Sequence, residues 1–226
     1  MIPLSLGGGA RTPNRILCLG AHCDDIEIGC GGTLLRWLEE RPDLDVRWAV
    51  FSSDARRAAE TRASARRFLG REPDKCVTVH EFRDGFLPNH WAEVKQEFER
   101  LKAEFAPDVI FTHYRSDLHQ DHRLVSELTW NTYRGPLILE YEIPKWDGDL
   151  GSPNTFVPLS ERHVQGKIDI LLAEYGTQKG RSWFEAETFR SLLRLRGMEV
   201  AAPERYAEAF YARKLVLDVV SRGSSD

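Results

Sequence analysis

The sequence RILCLGAHCDD, residues 15–25, joins an apolar run directly to a cluster of metal-ligating and acidic side chains. Its apolar part, Arg15–Ala21, is typical of a buried strand. The segment Gly31–Glu40 that follows is predicted to be a helix. A strand, a polar turn and a helix in this order form the unit of a parallel α/β sheet, whose ligands bind beyond the carboxyl ends of the strands. These residues predict the fold class and the edge of the sheet where its chemistry lies.

The same alternation of strand and helix continues as far as Tyr141. One helix is expected between Asp54, its N-cap, and Gly70 at its C-terminus. Further strands are predicted at Val46–Ser52, Cys76–Val79, Asp108–Thr112 and Pro136–Tyr141, and further helices at Trp91–Phe105 and His122–Tyr133. Because the crossovers are long enough for parallel pairing, the pattern predicts an open parallel sheet. The length and the lack of an internal repeat predict a single domain over residues 1–226. This α/β fold is a doubly wound, mainly parallel, Rossmann-like sheet with helices on both faces.

The C-terminal third has a less regular pattern. Pro, Gly, Asp and Asn are frequent in Glu142–Pro158, which predicts a surface loop. The stretch Tyr141–Leu159 is long for a compact domain, and its length favours either a lid over the crevice or a subunit contact. Two helices are predicted near Ser160–Tyr175 and Phe184–Arg196, followed by a late strand at Lys214–Val220. Residues 1–13 and 221–226 are predicted to be flexible ends.

Composition excludes several classes of protein. The 226 residues carry 31 basic and 35 acidic side chains, a net charge of −4, which does not suggest a nucleic-acid surface. No apolar run reaches the roughly 18–20 residues that span a bilayer, and the N-terminus lacks the pattern of a signal peptide. A cytoplasmic protein is expected. Its cysteines show no CxxC pairing and are predicted to be reduced thiols: Cys18, Cys23, Cys30 and Cys76.

The glycines after the first strand raise the alternative of a dinucleotide site. Gly29, Gly31 and Gly32 do not fit the GxGxxG pattern, and Asp24 and Asp25 precede them, where they would repel a pyrophosphate. We therefore interpret the glycines as positions where the helix lies close to the sheet.

A second polar cluster, His119-Gln120-Asp121-His122, follows the fourth predicted strand. If the first and fourth strands are neighbours, the two clusters open into one crevice. Catalytic zinc takes about three His or carboxylate ligands and keeps a position for water, and the clusters supply these groups with others to spare. Each cluster alone has a simpler explanation, as a helix N-cap or a solvated loop. Together they predict a divalent metal site that serves hydrolysis.

Two segments resemble a known family. AHCDDIEIGCGGTL, Ala21–Leu34, is similar to the AHPDDE…GGT signature of the LmbE-like, or PIG-L, zinc-dependent N-acetylglucosaminyl deacetylases, and SDLHQDHR, Ser116–Arg123, is similar to their D-x-H-x-D-H signature. The chain departs from the family pattern at Cys23, at Ile26 and in a shortened loop after Phe51, which bears on substrate identity.

The resemblance implies roles for particular residues. It assigns the binding of one Zn²⁺, with Fe²⁺ or another divalent ion as the alternative, to His22, Asp25 and His122. Asp24 would be the general base. Because Cys23 lies among these residues, it is either a soft-metal ligand or, as we prefer, a packing residue.

Four further residues receive roles from the same resemblance. His119, when protonated, would stabilise the oxyanion or protonate the leaving amine, and Asp121 would orient a histidine. Arg57 and Asp84 would contact the sugar, although an exposed helix residue and an ordinary turn residue, respectively, are equally good interpretations.

The expected activity is hydrolysis of the N-acetyl group of an amino sugar or an amino-sugar conjugate, such as a nucleotide sugar or a glycosylated natural product. The partner is then a small molecule, and a homo-oligomer is left open. Two alternatives remain: a metal-dependent amidase of another amide, such as a thiol conjugate, and a non-catalytic sugar-binding relative.

Overall fold

The structure, a computed structural model, describes residues 12–216, which form one mostly parallel sheet and six α-helices. The strands are β1 (Arg15–Gly20), β2 (Asp45–Ser52), β3 (Val77–Phe82), β4 (Val109–His113), β5 (Leu137–Tyr141), β6 (Thr155–Leu159) and β7 (Tyr206–Ala212). The helices are α1 (Asp25–Glu40), α2 (Ala55–Leu69), α3 (Trp91–Glu104), α4 (Gln120–Thr132), α5 (Glu161–Glu174) and α6 (Ala186–Glu199).

The strand order in the sheet is β3-β2-β1-β4-β5-β7-β6. β1 pairs in parallel with β2 and with β4, so that Cys18 lies opposite both Trp48 and Phe111. The chain leaves β1 towards one side of the sheet and later returns to build the other side from β4. A switch of this kind leaves a crevice at the carboxyl ends of the two strands. The first and fourth strands are thus neighbours, which is the condition for the two polar clusters to share one crevice.

Helices cover both faces of the sheet, as the sequence predicts. One hydrophobic cluster joins the sheet to α1, α2, α5 and α6, and includes Trp48 and Phe68; the other joins it to α3 and α4, and includes Phe51 and Phe98. Burying each large apolar side chain stabilises the fold by roughly 1.5–3 kcal/mol. The fold is the doubly wound α/β arrangement.

The glycines of α1 allow close contact between helix and sheet. A Cβ atom on Gly29 would lie 2.3 Å from the Tyr141 ring of β5, and one on Gly32 would lie 2.5 Å from Leu159 of β6. Such distances are shorter than van der Waals contact, so any larger residue would push α1 away from the sheet. The predicted contact with the sheet is confirmed for Gly29 and Gly32, whereas Gly31 faces Phe68 of the neighbouring helix α2. α1 begins at Asp25, earlier than predicted, because this contact outweighs the low helix propensity of glycine.

The prediction of an unbroken loop over Glu142–Pro158 is wrong at its C-terminal end. Thr155–Leu159 forms β6, which pairs antiparallel with β7. Pro158 suggested a loop because proline has no N–H to donate to a neighbouring strand. β6 is the last strand of the sheet, and an edge position accommodates a proline whose missing N–H would face away from the neighbour.

The last strand also lies elsewhere than predicted. β7 covers Tyr206–Ala212, whereas Lys214–Val216 is irregular and Val216 is 97% exposed. Glu208 interrupts the apolar pattern of β7, yet it is buried. The remaining part of the predicted strand, residues 217–220, lies outside the described residues, as do the predicted ends at 1–11 and 221–226.

Other boundaries agree more closely. Asp54 caps α2 by accepting the backbone N–H of Arg57 at 2.9 Å, and Gly70 ends it with a φ of 62°. The cysteines, all within the described chain, are free and buried. None of the helices in residues 12–216 is long and apolar enough to cross a bilayer.

Candidate metal centre

The loops after β1 and β4 meet at one edge of the sheet. His22 follows β1, Asp24 is the N-cap of α1, and Asp25 is the first residue of that helix. His119 is the N-cap of α4, and His122 lies in its first turn. Parallel pairing of β1 with β4 brings both helix N-termini to the same edge, which places the two clusters in contact.

Three side chains converge on one point. His22 Nδ1 lies 3.1 Å from His122 Nε2 and 3.3 Å from Asp25 Oδ2, and the second Asp25 oxygen, Oδ1, lies 3.5 Å from His122 Nε2. Each of the three residues is at most 7% exposed. The predicted ligands are thus within reach of a common ion.

These separations fit a divalent cation. A tetrahedral zinc ion with bonds of about 2.0–2.1 Å holds its ligand atoms about 3.3 Å apart. Two buried imidazole nitrogens that face each other across 3.1 Å need a proton or a cation between their lone pairs. The donor set, two histidines and a carboxylate, is typical of catalytic zinc.

Other combinations of donors are also close together. Three overlapping sets have ligand atoms within 4.8 Å of one another, namely His22/His119/His122, Asp25/His113/His122 and His22/Asp84/Asp121. His113 is the last residue of β4. Its Nε2 accepts the backbone N–H of Ala21 at 2.9 Å, and no described residue bonds its Nδ1. Metal-binding histidines usually have a hydrogen-bond partner on the other ring nitrogen, which does not favour His113 as a ligand.

His22 does have such a partner. Asp121 Oδ2 lies 3.2 Å from His22 Nε2, the nitrogen directed away from His122. The Asp121 carboxylate is itself held by the backbone N–H groups of Gly85 at 2.8 Å and Leu87 at 3.1 Å. The structure thus places Asp121 where it can orient a histidine.

His122 has its own carboxylate, Asp117, which the sequence analysis missed. Asp117 Oδ2 lies 2.9 Å from His122 Nδ1, and Oδ1 accepts the backbone N–H of His119 at 2.8 Å. Asp117 is only 2% exposed. Burial acts to raise its pKa, but the hydrogen bond with His122 lowers the pKa well below its usual value. The signal was present, since Asp117 lies within the motif Ser116–Arg123 and each ligand histidine needs an acceptor.

Asp24 is a buried carboxyl group beside the three converging residues. It is 4% exposed, and its ion-pair partner is Arg57, with Nη2 3.3 Å from Oδ1. Burial raises the pKa of Asp24 to about 6, and the positive charge of Arg57 limits that rise. A carboxyl group with this pKa can accept a proton near neutral pH and release it again.

His119 lies over the two histidines that converge. Its ring centroid is 4.8 Å from that of His22 and 4.6 Å from that of His122. Its Nδ1 accepts the backbone N–H of Asp121 at 3.3 Å, which leaves the ring proton on Nε2. Burial and the charge of His22 lower the His119 pKa, so the neutral ring is favoured.

Arg57 and Asp84 lie at the mouth of this cluster. The Asp84 side chain is 61% exposed, with Oδ1 3.1 Å from His22 Nε2 and Oδ2 3.5 Å from Arg57 Nη1. The hydrogen bond with His22 lowers the Asp84 pKa. The structure therefore brings together all eight residues named as site residues in the sequence analysis.

Cys23 points away from this cluster into the core. Its Sγ donates to the carbonyl of Ser52 at 3.5 Å, and the residue is fully buried. Burial raises the thiol pKa to about 12, which keeps the sulfur protonated. A protonated thiol packs as a small apolar group and does not bind a metal.

The chain is similar to a known family and to known proteins. A family model described as PIG-L, GlcNAc-PI de-N-acetylase, matches residues 17–133. Over 180 residues the chain is 27% identical to the uncharacterized deacetylase YaiS of Escherichia coli (strain K12), covering 74% of this chain and 94% of that protein.

Two solved structures share the fold. The conserved protein TT1542 from Thermus thermophilus gives a TM-score of 0.69 at 23% identity, covering 93% of this chain and 99% of that one. The N,N'-diacetylchitobiose deacetylase from Pyrococcus horikoshii gives a TM-score of 0.66 at 20% identity, covering 88% and 83%.

Proposed function

The chain belongs to the PIG-L family, described as GlcNAc-PI de-N-acetylases, and from this premise we propose that it is a metal-dependent amidohydrolase that removes the N-acetyl group of an amino sugar or amino-sugar conjugate. One observation carries the proposal: His22, Asp25 and His122 converge within 3.1–3.5 Å, with the buried Asp24 beside them. A relative named a deacetylase and a fold neighbour that acts on diacetylchitobiose support the substrate class.

His22 Nδ1, His122 Nε2 and the Asp25 carboxylate hold the ion in this proposal. We expect zinc, because two histidines and one carboxylate are a common catalytic zinc set, with Fe²⁺ or another divalent ion as the alternative. When bound, the ion polarises the amide carbonyl and lowers the pKa of water towards about 7. Asp121 and Asp117 fix the orientation of the two histidine rings.

Asp24 acts as the general base. Its carboxylate takes a proton from the attacking water while the new C–O bond forms at the acetyl carbon. The same proton then passes to the amine nitrogen as the C–N bond breaks, which gives acetic acid and the free amine. The acid then ionises to acetate, and its proton goes to the amine or to solvent. The Asp24 pKa of about 6 allows both transfers near neutral pH.

His119 stabilises the oxygen of the tetrahedral intermediate. The sequence analysis assigned this role to a protonated ring, but the lowered pKa of His119 favours the neutral form. With Nδ1 accepting from the Asp121 backbone, the neutral ring donates through Nε2–H, which is sufficient for a preorganised oxyanion contact. Asp24 is therefore the better source of the proton for the amine.

Arg57 and Asp84 contact the sugar. Both lie at the opening of the cluster, and their side chains offer a donor and an acceptor for sugar hydroxyl groups. We further propose that the chain acts as one domain in the cytoplasm on a small-molecule substrate. Packing of α1, α2, α5 and α6 against one cluster on one sheet supports the single domain.

The test is a panel of N-acetyl sugars, nucleotide sugars, glycosides and thiol-conjugate amides. Protein loaded with Zn²⁺ or with Fe²⁺ is assayed for freed amine and acetate. We expect release from at least one amino sugar. Asp24→Asn, which removes the proposed base, is assayed on the same panel. Its matched control is Asp43→Asn, which changes an exposed carboxylate outside the site.

Other outcomes separate the alternatives. Release from thiol conjugates alone would replace the substrate proposal with the other amidase. Full metal occupancy without hydrolysis of any amide in the panel would favour the sugar-binding relative.

A further inference from the structure

The irregular segment between β5 and β6 is fixed at its neck. Glu142 Oε1 accepts the backbone N–H of Gly151 at 2.9 Å, and Arg196 donates to Glu142 at 2.8 Å and to the Gly151 carbonyl at 3.0 Å. Glu142 and Arg196 are both buried. Residues 142–151 therefore form a closed loop, which we call the β5–β6 loop.

The inner side of this loop is held by a second ion pair. Lys145 Nζ donates to both carboxylate oxygens of Asp149, at 2.8 and 2.6 Å. Asp149 Oδ2 also accepts the backbone N–H of Leu118, at 2.7 Å. Leu118 lies between Asp117 and His119, so the β5–β6 loop is attached directly to the segment that carries the metal-site residues.

Lys145 also reaches the carboxylate that supports a metal ligand. Its Nζ lies 2.9 Å from Asp117 Oδ2, the same oxygen that lies 2.9 Å from His122 Nδ1. The Lys145 side chain is 11% exposed and that of Asp117 only 2%. An ionic chain therefore runs from Asp149 through Lys145 and Asp117 to His122.

A buried carboxylate needs more than neutral hydrogen bonds. Removing such a charge from water costs several kcal/mol unless an opposite charge lies beside it. Lys145 supplies that charge to Asp117. With Lys145 and His122 at one oxygen and the His119 backbone at the other, the plane of the Asp117 carboxylate is defined. That plane sets the direction of the His122 ring.

We propose that Lys145 is a positioning residue for the metal centre, acting through Asp117 on His122. The inference rests on the proposed function, since it concerns the orientation of a ligand to the metal. It gives the β5–β6 loop a role other than a lid, because the loop delivers the charge that holds a ligand in place.

Electrostatics alone would predict the opposite effect. Lys145 is a cation close to a site for a divalent cation, so its removal should tighten metal binding if charge repulsion were its main influence. Removing a residue that orients a metal ligand through hydrogen bonds weakens binding, by about 10–100-fold. The sign of the change in affinity therefore distinguishes positioning from repulsion.

The experiment measures Zn²⁺ dissociation constants of the full chain by competition with a chromophoric chelator. Lys145→Met should weaken binding about tenfold and alter the visible spectrum of the Co²⁺ form, and Lys145→Arg should restore most of the affinity. In the Asp117→Asn background, Lys145→Met should add less than about twofold, because the route to His122 is already broken. Lys95→Met, which removes a lysine paired with Glu99 on α3, is the matched control.

Each result decides the inference. Unchanged or tighter binding by Lys145→Met, or full additivity with Asp117→Asn, overturns it. If the wild-type chain binds no metal, the proposed function fails and the inference with it; if wild type binds metal and releases amine while Lys145→Met matches it, only the inference fails. Melting of the metal-free variants reports folding. Should Lys145→Met not fold, Asp149→Asn replaces it, with weakening of about two- to tenfold expected and none overturning the inference.

Discussion

Two buried polar clusters touch α1, and they differ in how their groups are paired. In the middle of the helix, Glu208 accepts the backbone N–H groups of Gly32 at 2.8 Å and Thr33 at 2.6 Å, and pairs with Lys167 at 2.7 Å. Lys167 also donates to the carbonyl of Ile28 at 2.6 Å. Every charged group in this cluster has a partner of opposite character.

At the N-terminus of α1, two histidine rings and a carboxylate instead face one common position. The nitrogens of His22 and His122 face each other at 3.1 Å with Asp25 beside both. Both clusters are buried, and both contain charge. Burial of charged groups is therefore a poor sign of function by itself. The better sign is a pair of histidine nitrogens that face each other while a carboxylate holds the opposite nitrogen of each ring, because the neutral rings then direct two lone pairs at one position suited to a cation.

The largest effect is expected on turnover, at the cluster of His22, Asp25 and His122 with Asp24 beside it, which we call the unmatched cluster. Asp24→Asn removes the base and should lower kcat by about 10²–10⁴-fold while zinc stays bound. Stability should not fall. Burial raises the Asp24 pKa from 3.8 to about 6, so the folded state favours the protonated carboxyl group. The stability that this group contributes is present below pH 3.8 and lost as the pH rises through 6, so the neutral carboxamide of Asn removes none of it near neutral pH. Steady-state kinetics, zinc analysis and denaturant unfolding test this, and wild-type turnover would refute the assignment of the base.

The cluster of Glu208 and Lys167, which we call the matched cluster, should show the reverse pattern, a loss of stability without a loss of turnover. Glu208→Gln leaves Lys167 buried without its counter-charge and should lower the free energy of unfolding by about 3–5 kcal/mol. kcat per folded molecule should not change, since Glu208 contacts none of the converging residues. The double variant Glu208→Gln/Lys167→Met should be less destabilised than the single one. A large loss of kcat in folded Glu208→Gln would remove the distinction between the clusters.

Metal binding should stabilise the chain through the unmatched cluster alone. Zinc at a hundred times its dissociation constant should raise the free energy of unfolding by about 2.7 kcal/mol. The gain should vanish in His122→Ala and persist in the Glu208→Gln variant. Thermal unfolding with zinc and with a chelator measures it. An equal gain in His122→Ala would place the ion elsewhere.

The smallest expected effect is a shift in pH dependence. kcat should rise as the pH passes through about 6, because the base acts only when Asp24 has lost its proton. Arg57 lowers the Asp24 pKa, so Arg57→Met should move this rise to higher pH by about one unit. Activity at pH 8 and above should change less than activity at pH 6. A pH profile that does not move would argue against the influence of Arg57 on Asp24.

The sequence alone located the candidate metal centre and most of the fold. His22, Asp25, His119 and His122 were found because each lies at the carboxyl end of an apolar run, and parallel strands place these ends on one edge. Such signals are local, since one short segment contains both the strand and its polar turn. The alternation of strands and helices, with Asp54 and Gly70 as caps, fixed the class of fold for the same reason.

Tertiary structure decided what depends on distant partners. β6 was missed because Pro158 suits a strand only at the edge of a sheet. β7 was missed because the charged Glu208 suits a buried strand only beside Lys167. The link from Lys145 to Asp117 joins residues whose separation along the chain has no periodic pattern. A side chain's role as ligand support or core ion pair is set by the atoms around it, and those atoms come together only when the chain folds.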